Sequence, residues 1–192
     1  TGGMGCMSPS PFINNTLTDN IKKAVIYPTI QGLKKANIDF YGFMYFGLMV
    51  KDNEPKVLEY NCRLGDPETQ CLMMQLESDF LQVLLDALDD KVLDLKWSND
   101  SSMGVVIASG GYPEMYKNKQ LVELLELGDV KLFHAGTKYI GEQLVTSGGR
   151  VFSLNAKAND FQACKKLIYA NIKNISFNNM VYRTDIGEVY ES

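Results

Sequence analysis

Residues 41–50 are almost wholly apolar and rich in aromatics, residues 51–55 (Lys-Asp-Asn-Glu-Pro) are a polar turn, and residues 56–63 form a second strand-length run. Two such runs joined by so short a turn predict an antiparallel hairpin. In a strand, residues two apart face the same side. The second run ends Glu59-Tyr60-Asn61-Cys62-Arg63, so Glu59 and Asn61 share a face, Arg63 continues it, and Cys62 points away.

That face carries chemistry. A carboxylate and a carboxamide offering hard oxygens to one point are ligands that Mg²⁺ accepts, with Mn²⁺ as an alternative, and substrate phosphates and water complete the shell. Arg63 can fork onto a phosphate or carboxylate. The same three residues also suit a surface hydrogen-bond cluster with no ligand. Past the turn Leu64-Gly65, Asp66 is placed to cap a helix with Pro67 at its first position. The apolar spacing of Leu72, Leu76, Phe80, Val83, Leu84 and Leu88 predicts that this helix runs to about residue 88.

The chain opens Thr1-Gly2-Gly3-Met4-Gly5 without an initiator Met, which predicts a piece of a longer product. Clustered glycines allow positive φ and close approach of another group, and such a loop can aim N–H groups at an anion. A flexible terminus is the alternative. The loop lacks the Lys-Ser/Thr of a P-loop, and no strand precedes it as a dinucleotide fingerprint requires.

Composition narrows the function classes. Of 192 residues, 45% are hydrophobic and 22% charged, and the net charge is −4 without a basic block. That gives nucleic-acid binding no electrostatic support. No apolar run approaches the roughly 18–20 residues that span a bilayer, so no membrane partner is expected. Cys6, Cys62, Cys71 and Cys164 show no metal-binding spacing. They read as reduced thiols of a cytoplasmic protein, with Cys71 and Cys164 on helix faces. His134 reads as structural, since no acid or nucleophile lies near it in sequence.

Elsewhere, Thr16 or Thr18 caps a helix running to about residue 36, kinked at Pro28. Residues 89–102 are a polar connection. Strands are expected at 103–109, near 130–134, 144–146 and 150–156, and near 180–183, with a helix over 160–172.

Together these segments resemble the phosphoribosylamine–glycine ligases (glycinamide ribonucleotide synthetases) of the ATP-grasp superfamily. The resemblance rests on Thr1-Gly-Gly-Met-Gly5, Ser8-Pro-Ser-Pro11, the 41–49 run, and 55–70 with its Asn-Cys-Arg-Leu-Gly-Asp-Pro-Glu block. Phe133-His-Ala-Gly-Thr137, Val145-Thr-Ser-Gly-Gly-Arg-Val151 and Tyr182-Arg-x-Asp185-Ile-Gly187 extend it along the chain.

The resemblance implies an α+β fold: residues 1–98 as the C-terminal half of an ATP-grasp core, an antiparallel sheet with helices, and residues 99–192 as a small α+β C-terminal domain. It implies a ligase that joins glycine to 5-phosphoribosylamine through glycyl phosphate. The products are glycinamide ribonucleotide, ADP and phosphate, in de novo purine biosynthesis. On that reading Glu59 and Asn61 hold the metal and, with Leu48, contact ATP. Leu48 could equally be a core leucine. Gly2, Gly3, Met4, Gly5, Asp66 and Pro67 bind substrate with Arg63, and Arg63 and Asp66 are catalytic. Arg63 could instead pair with Asp66 or Glu68. The superfamily's acidic ligand on the first hairpin strand is absent, because residues 41–50 contain no Asp or Glu. The missing N-terminal half would be a partner, and the chain alone is expected to be incompetent. The alternative is a non-catalytic nucleotide- or partner-binding module derived from an ATP-grasp enzyme.

Overall fold

The computed structural model describes residues 2–188; Thr1 of the glycine motif and the terminal Glu191-Ser192 lie outside the described residues. The strands are β1 (Gly5–Ser8), β2 (Tyr45–Lys51), β3 (Glu54–Asn61), β4 (Ser101–Ser109), β5 (Glu123–Leu124), β6 (Lys131–His134), β7 (Thr137–Ile140), β8 (Gln143–Thr146), β9 (Arg150–Ala158), β10 (Ile175–Ser176) and β11 (Met180–Tyr182). The helices are α1 (Asn15–Ile21), α2 (Tyr27–Lys35), α3 (Glu68–Gln75), α4 (Phe80–Leu88) and α5 (Phe161–Ile172), with a π-helical turn, Lys22–Ile26, between α1 and α2. The chain forms two compact units: Pro9–Gly65, and the described residues on either side of that span.

In the Pro9–Gly65 unit, Asn14, not Thr16 or Thr18, caps the first helix, accepting from Leu17 N at 2.8 Å. An Asx side chain in extended backbone suits that position. Just before Pro28, where a kink is expected, lies a π turn in which Tyr27 N–H reaches back to the Lys22 carbonyl. Widening the turn is one way a helix accommodates a residue that cannot complete its ladder. The β2–β3 hairpin forms as expected, turning through Asp52 and Asn53 at φ +51° and +60°. That left-handed pair matches the twist of the flanking strands. Asn20 Nδ2 donates to the Asn53 carbonyl at 2.9 Å, and Thr29 and Tyr60 share a hydroxyl contact of 3.1 Å, so the helices hold the hairpin at its turn and along β3.

The other unit is built on an antiparallel sheet ordered β1-β4-β9-β6. β1 pairs with one end of β4 (Gly5 opposite Val105) and β11 with the other (Tyr182 opposite Ile107). β4 and β9 are buried almost throughout, because helices cover both faces of the sheet. On one face, Met103, Val105, Ile107, Phe152 and Leu154 pack with Cys164, Ile168 and Ile172 of α5, a stripe at helical spacing. α3 packs against β1, β4 and β9, and its buried Cys71 meets the polar residues of the sheet. The hairpin β7–β8 and the short pair β5–β10 complete the unit. The expected strands and α5 are present; β1, β5, β7 and β10 are additional.

Two expectations about the 66–88 helix are corrected. Asp66 is not its cap: α3 starts after Pro67, without a side-chain cap. Nor is the helix continuous. It stops at Gln75, Leu76 turns extended and bridges Trp97, and Asp79 caps α4 by accepting from Gln82 N at 2.9 Å. The anticipated core face accordingly fails in α4, which buries no residue and leaves Leu88 67% exposed. Cys71 and Cys164 lie on helix faces as expected, and His134 is a packing residue, edge-on to Phe152 and bonded to Thr137. Among the described residues no helix is long and apolar enough to cross a membrane.

Candidate active site

The hairpin carries one candidate cluster. Glu59 and Asn61 share a face, and Asn61 Nδ2 donates to Glu59 Oε1 at 3.1 Å. That bond fixes the amide so that its oxygen is available beside the carboxylate. Glu59 stands opposite Gly47, and a Cβ at Gly47 would lie 2.7 Å from Glu59 Cγ. Glycine there is what lets the Glu59 side chain lie across the neighbouring strand. The two oxygens fit a hard cation that keeps other ligands from phosphate and water. Among the described residues no group of three or more His, Cys, Asp or Glu side chains could make an all-protein cage.

The register gives Leu48 its face. β2 alternates regularly, and since Gly47 faces Glu59, Leu48 faces the opposite side. A bulge between Gly47 and Leu48 shifts the β3 partner from Glu59 to Val57. Met49, 59% exposed, shares the face of Gly47 and Glu59. Arg63 lies just past β3, exposed, and donates to the Leu64 carbonyl at 2.9 Å.

A separate cluster lies in the sheet unit. Arg150, at the start of β9, donates through Nη1 to the Gly3 carbonyl (3.2 Å) and the Asp66 carbonyl (3.0 Å), and through Nη2 to Asp66 Oδ2 (2.6 Å). One guanidinium thus ties the glycine segment to the turn before α3. Asp66, expected as a cap or a partner of Arg63, is bound by Arg150 instead.

The glycines divide by role. Gly3 adopts φ +70°, and a Cβ there would meet Arg150 Nη1 at 2.8 Å, so both conformation and close approach demand glycine. Gly2 is exposed with open space around it. Gly5 is strand residue, and its missing side chain makes room for Ile186 at 2.7 Å. Met4 is a core residue beside Val106 and Ala108, and its carbonyl accepts from Val106 N at 3.0 Å. Pro67 is fully buried, so its ring offers no surface to a substrate. Sequence reasoning missed Arg150, Gly47 and Met49. Arg150 sat in a motif already noted, but its partners lie 147 and 84 positions away.

The architecture is an ATP-grasp-like core with a smaller α+β region. Its fold is shared with the biotin carboxylase of Campylobacter jejuni, solved as a complex with an ATP analogue, at a TM-score of 0.64 and 12% identity over 96% of this chain and 41% of that one. The sequence comparisons are more specific. A family profile described as "Phosphoribosylglycinamide synthetase, ATP-grasp (A) domain" matches residues 1–69, and "Phosphoribosylglycinamide synthetase, C domain" matches residues 102–189. The chain belongs to the phosphoribosylglycinamide synthetase family. It is 42% identical over 193 residues to a phosphoribosylamine–glycine ligase of Vibrio parahaemolyticus, covering 97% of this chain and 45% of that protein. With the chloroplastic ligase of Arabidopsis thaliana it shares 40% identity over 97% of this chain and 37% of the relative. The crystal structure of the phosphoribosylamine–glycine ligase from Thermotoga maritima superposes with a TM-score of 0.85 at 29% identity, covering 95% of this chain and 46% of that one. The chain thus spans less than half the length of these relatives.

Proposed function

We propose that this chain supplies the metal- and phosphate-handling part of an ATP-dependent ligase that joins glycine to 5-phosphoribosylamine, giving glycinamide ribonucleotide, ADP and phosphate. The observation that carries this reading is the Glu59–Asn61 pair, held on one face by its own hydrogen bond with glycine opposite. Glu59 and Asn61 would hold Mg²⁺, whose charge would offset that of the ATP phosphates during transfer to the glycine carboxylate. Arg63 forks onto the phosphate in transfer, and its loose tie to the Leu64 carbonyl leaves that movement cheap. Met49 offers apolar surface to the adenine. Gly2, Gly3 and Asp66, organised by Arg150, receive 5-phosphoribosylamine. We also propose that the family boundary lies near residues 98–99, between the matched segments, and that the protein works in the cytoplasm with its cysteines reduced.

Because the relatives are more than twice as long, the chain by itself is proposed to be inactive. The test is ADP formation with Mg-ATP, glycine and freshly generated 5-phosphoribosylamine, by the chain alone and mixed with the separately expressed remainder of a family ligase. Turnover only in the mixture, abolished by Glu59→Gln, supports the reading. Turnover that survives Glu59→Gln refutes the metal assignment. Failure of the mixture while the intact ligase works favours the non-catalytic binding module.

A further inference from the structure

Cys6, Gly104 and Asn155 stand in one row across β1, β4 and β9, since Cys6 is opposite Gly104 and Gly104 opposite Asn155. A Cβ at Gly104 would lie 2.4 Å from Asn155 Nδ2, so the bare glycine leaves a slot that the Asn155 amide enters. Cys71 of α3 closes over this slot. Its Sγ lies 3.6 Å from the Cys6 carbonyl and accepts from Asn155 Nδ2 at 3.5 Å, while Ser153 Oγ donates to Asn155 Oδ1 at 2.7 Å and fixes the amide. Cys6 is only partly buried, whereas Cys71 is wholly so. A lone buried thiol has none of this. Cys164 is equally enclosed but donates to the Ser101 carbonyl at 3.3 Å, and its thiol is pushed up chiefly by burial.

We propose that Cys6 and Cys71 form a redox-sensitive dithiol that closes to a disulfide between β1 and α3 when a hydroperoxide reaches it. The Cys71 sulfur lies 3.6 Å from the Cys6 carbonyl oxygen, so the two residues are neighbours across the β1–α3 packing. The acidities of the pair support its activation. The hydrogen bond from Cys6 holds the Cys71 thiol below the usual range, helped by Asn155, and the same bond, with burial, drives Cys6 up. One thiol of the pair gives its proton to solvent and attacks hydrogen peroxide, the O–O bond breaks, and the departing hydroxide takes the other thiol's proton and leaves as water. The second thiolate then attacks the sulfenic acid so formed. The S–S bond forms, the S–O bond breaks, and the second hydroxide leaves as water with a solvent proton. The peroxide is reduced by two electrons and the dithiol is oxidised by two. The disulfide joins the strand that follows Gly3 to the helix that follows Asp66, so it braces the segments Arg150 already ties. The proposal concerns one compact unit and holds whichever reaction the hairpin serves.

The experiment uses this chain with Cys62→Ser, which removes the exposed thiol. It is treated with equimolar hydrogen peroxide, unfolded, alkylated and mapped by peptide mass spectrometry. The expected result is loss of alkylation at Cys6 and Cys71 together, a linked peptide pair lighter by two hydrogen atoms, full recovery with dithiothreitol, and an unchanged Cys164. Full alkylation of Cys6 and Cys71 would overturn the proposal. So would single-site over-oxidation of Cys6 with Cys71 intact, or pairing of either with Cys164.

Discussion

Arg150 holds Asp66 twice, donating to its backbone carbonyl at 3.0 Å and to its carboxylate at 2.6 Å. The two residues are 84 positions apart, and the Arg150 side chain is only 25% exposed. Replacement of Arg150 by Met should cost about 1–2 kcal/mol of stability, the range for a charge-assisted bond whose carboxylate is half in solvent. In an assembled ligase it should raise KM for 5-phosphoribosylamine while leaving KM for ATP unchanged, and Arg150→Lys should recover part of the loss. A double-mutant cycle with Asp66→Asn, read by urea denaturation and steady-state kinetics, should show coupling; additive effects would count against the pairing.

Gly47 lies directly against the Glu59 side chain. Alanine there would press on Glu59 Cγ and swing its carboxylate away from Asn61. Mg²⁺-dependent ATP affinity in the assembled enzyme should fall about 10–100-fold, the scale seen when a ligand's support is lost. Circular dichroism should remain native. Titration with Mg-ATP against ATP alone separates this from general weakening.

Gly104→Ala tests the slot in the sheet. The added methyl collides with a buried amide that is itself fixed by Ser153, so neither neighbour gives way easily. Overpacking of this kind costs about 1–3 kcal/mol. The urea midpoint should drop without a change in slope, and Ala at exposed Gly2, where no atom lies within 4 Å of the new Cβ, should leave it where it was.

Tyr169 makes a pH prediction. Burial pushes its hydroxyl up to about 12, and the hydroxyl donates to the Arg183 carbonyl at 2.7 Å. The folded form therefore favours the protonated phenol more than the unfolded chain does. Its contribution is complete below the ordinary tyrosine pKa near 10 and is lost as pH rises from there to about 12. Ultraviolet titration should show one of the ten tyrosines ionising late, and Tyr169→Phe should flatten the alkaline fall in stability.

What was readable in the sequence was local. The hairpin followed from two apolar runs and an Asp-Asn turn, and the Glu59–Asn61 face from strand periodicity alone. α5 carried its signals in place, an Asp cap and a stripe of apolar residues at helical spacing. The break between α3 and α4 was masked because Leu72, Leu76, Phe80, Leu84 and Leu88 keep a four-residue beat straight through Ser78-Asp79; the cap at Asp79 was the signal overlooked. The β3 partner of Leu48 depended on a bulge, which strand alternation cannot reveal. β1 was invisible for another reason: Gly-Cys-Met-Ser has little strand character, and its pairing with β4 is decided about a hundred residues later. Arg150 illustrates the same limit in a side chain, since its whole role lies in partners remote in sequence.

That remoteness has a consequence for how the protein is made. The strand after the glycine segment finds its hydrogen bonds on residues 102–105, and Arg150 reaches Gly3 only once β9 has been synthesised. On a ribosome the glycine segment therefore emerges well before its partners and waits while the hairpin and α3 pass out. Contacts of such long range are slow to close and leave an unpaired edge exposed meanwhile. A nascent chain arrested before residue 150 would hold a finished hairpin and no glycine–arginine clamp.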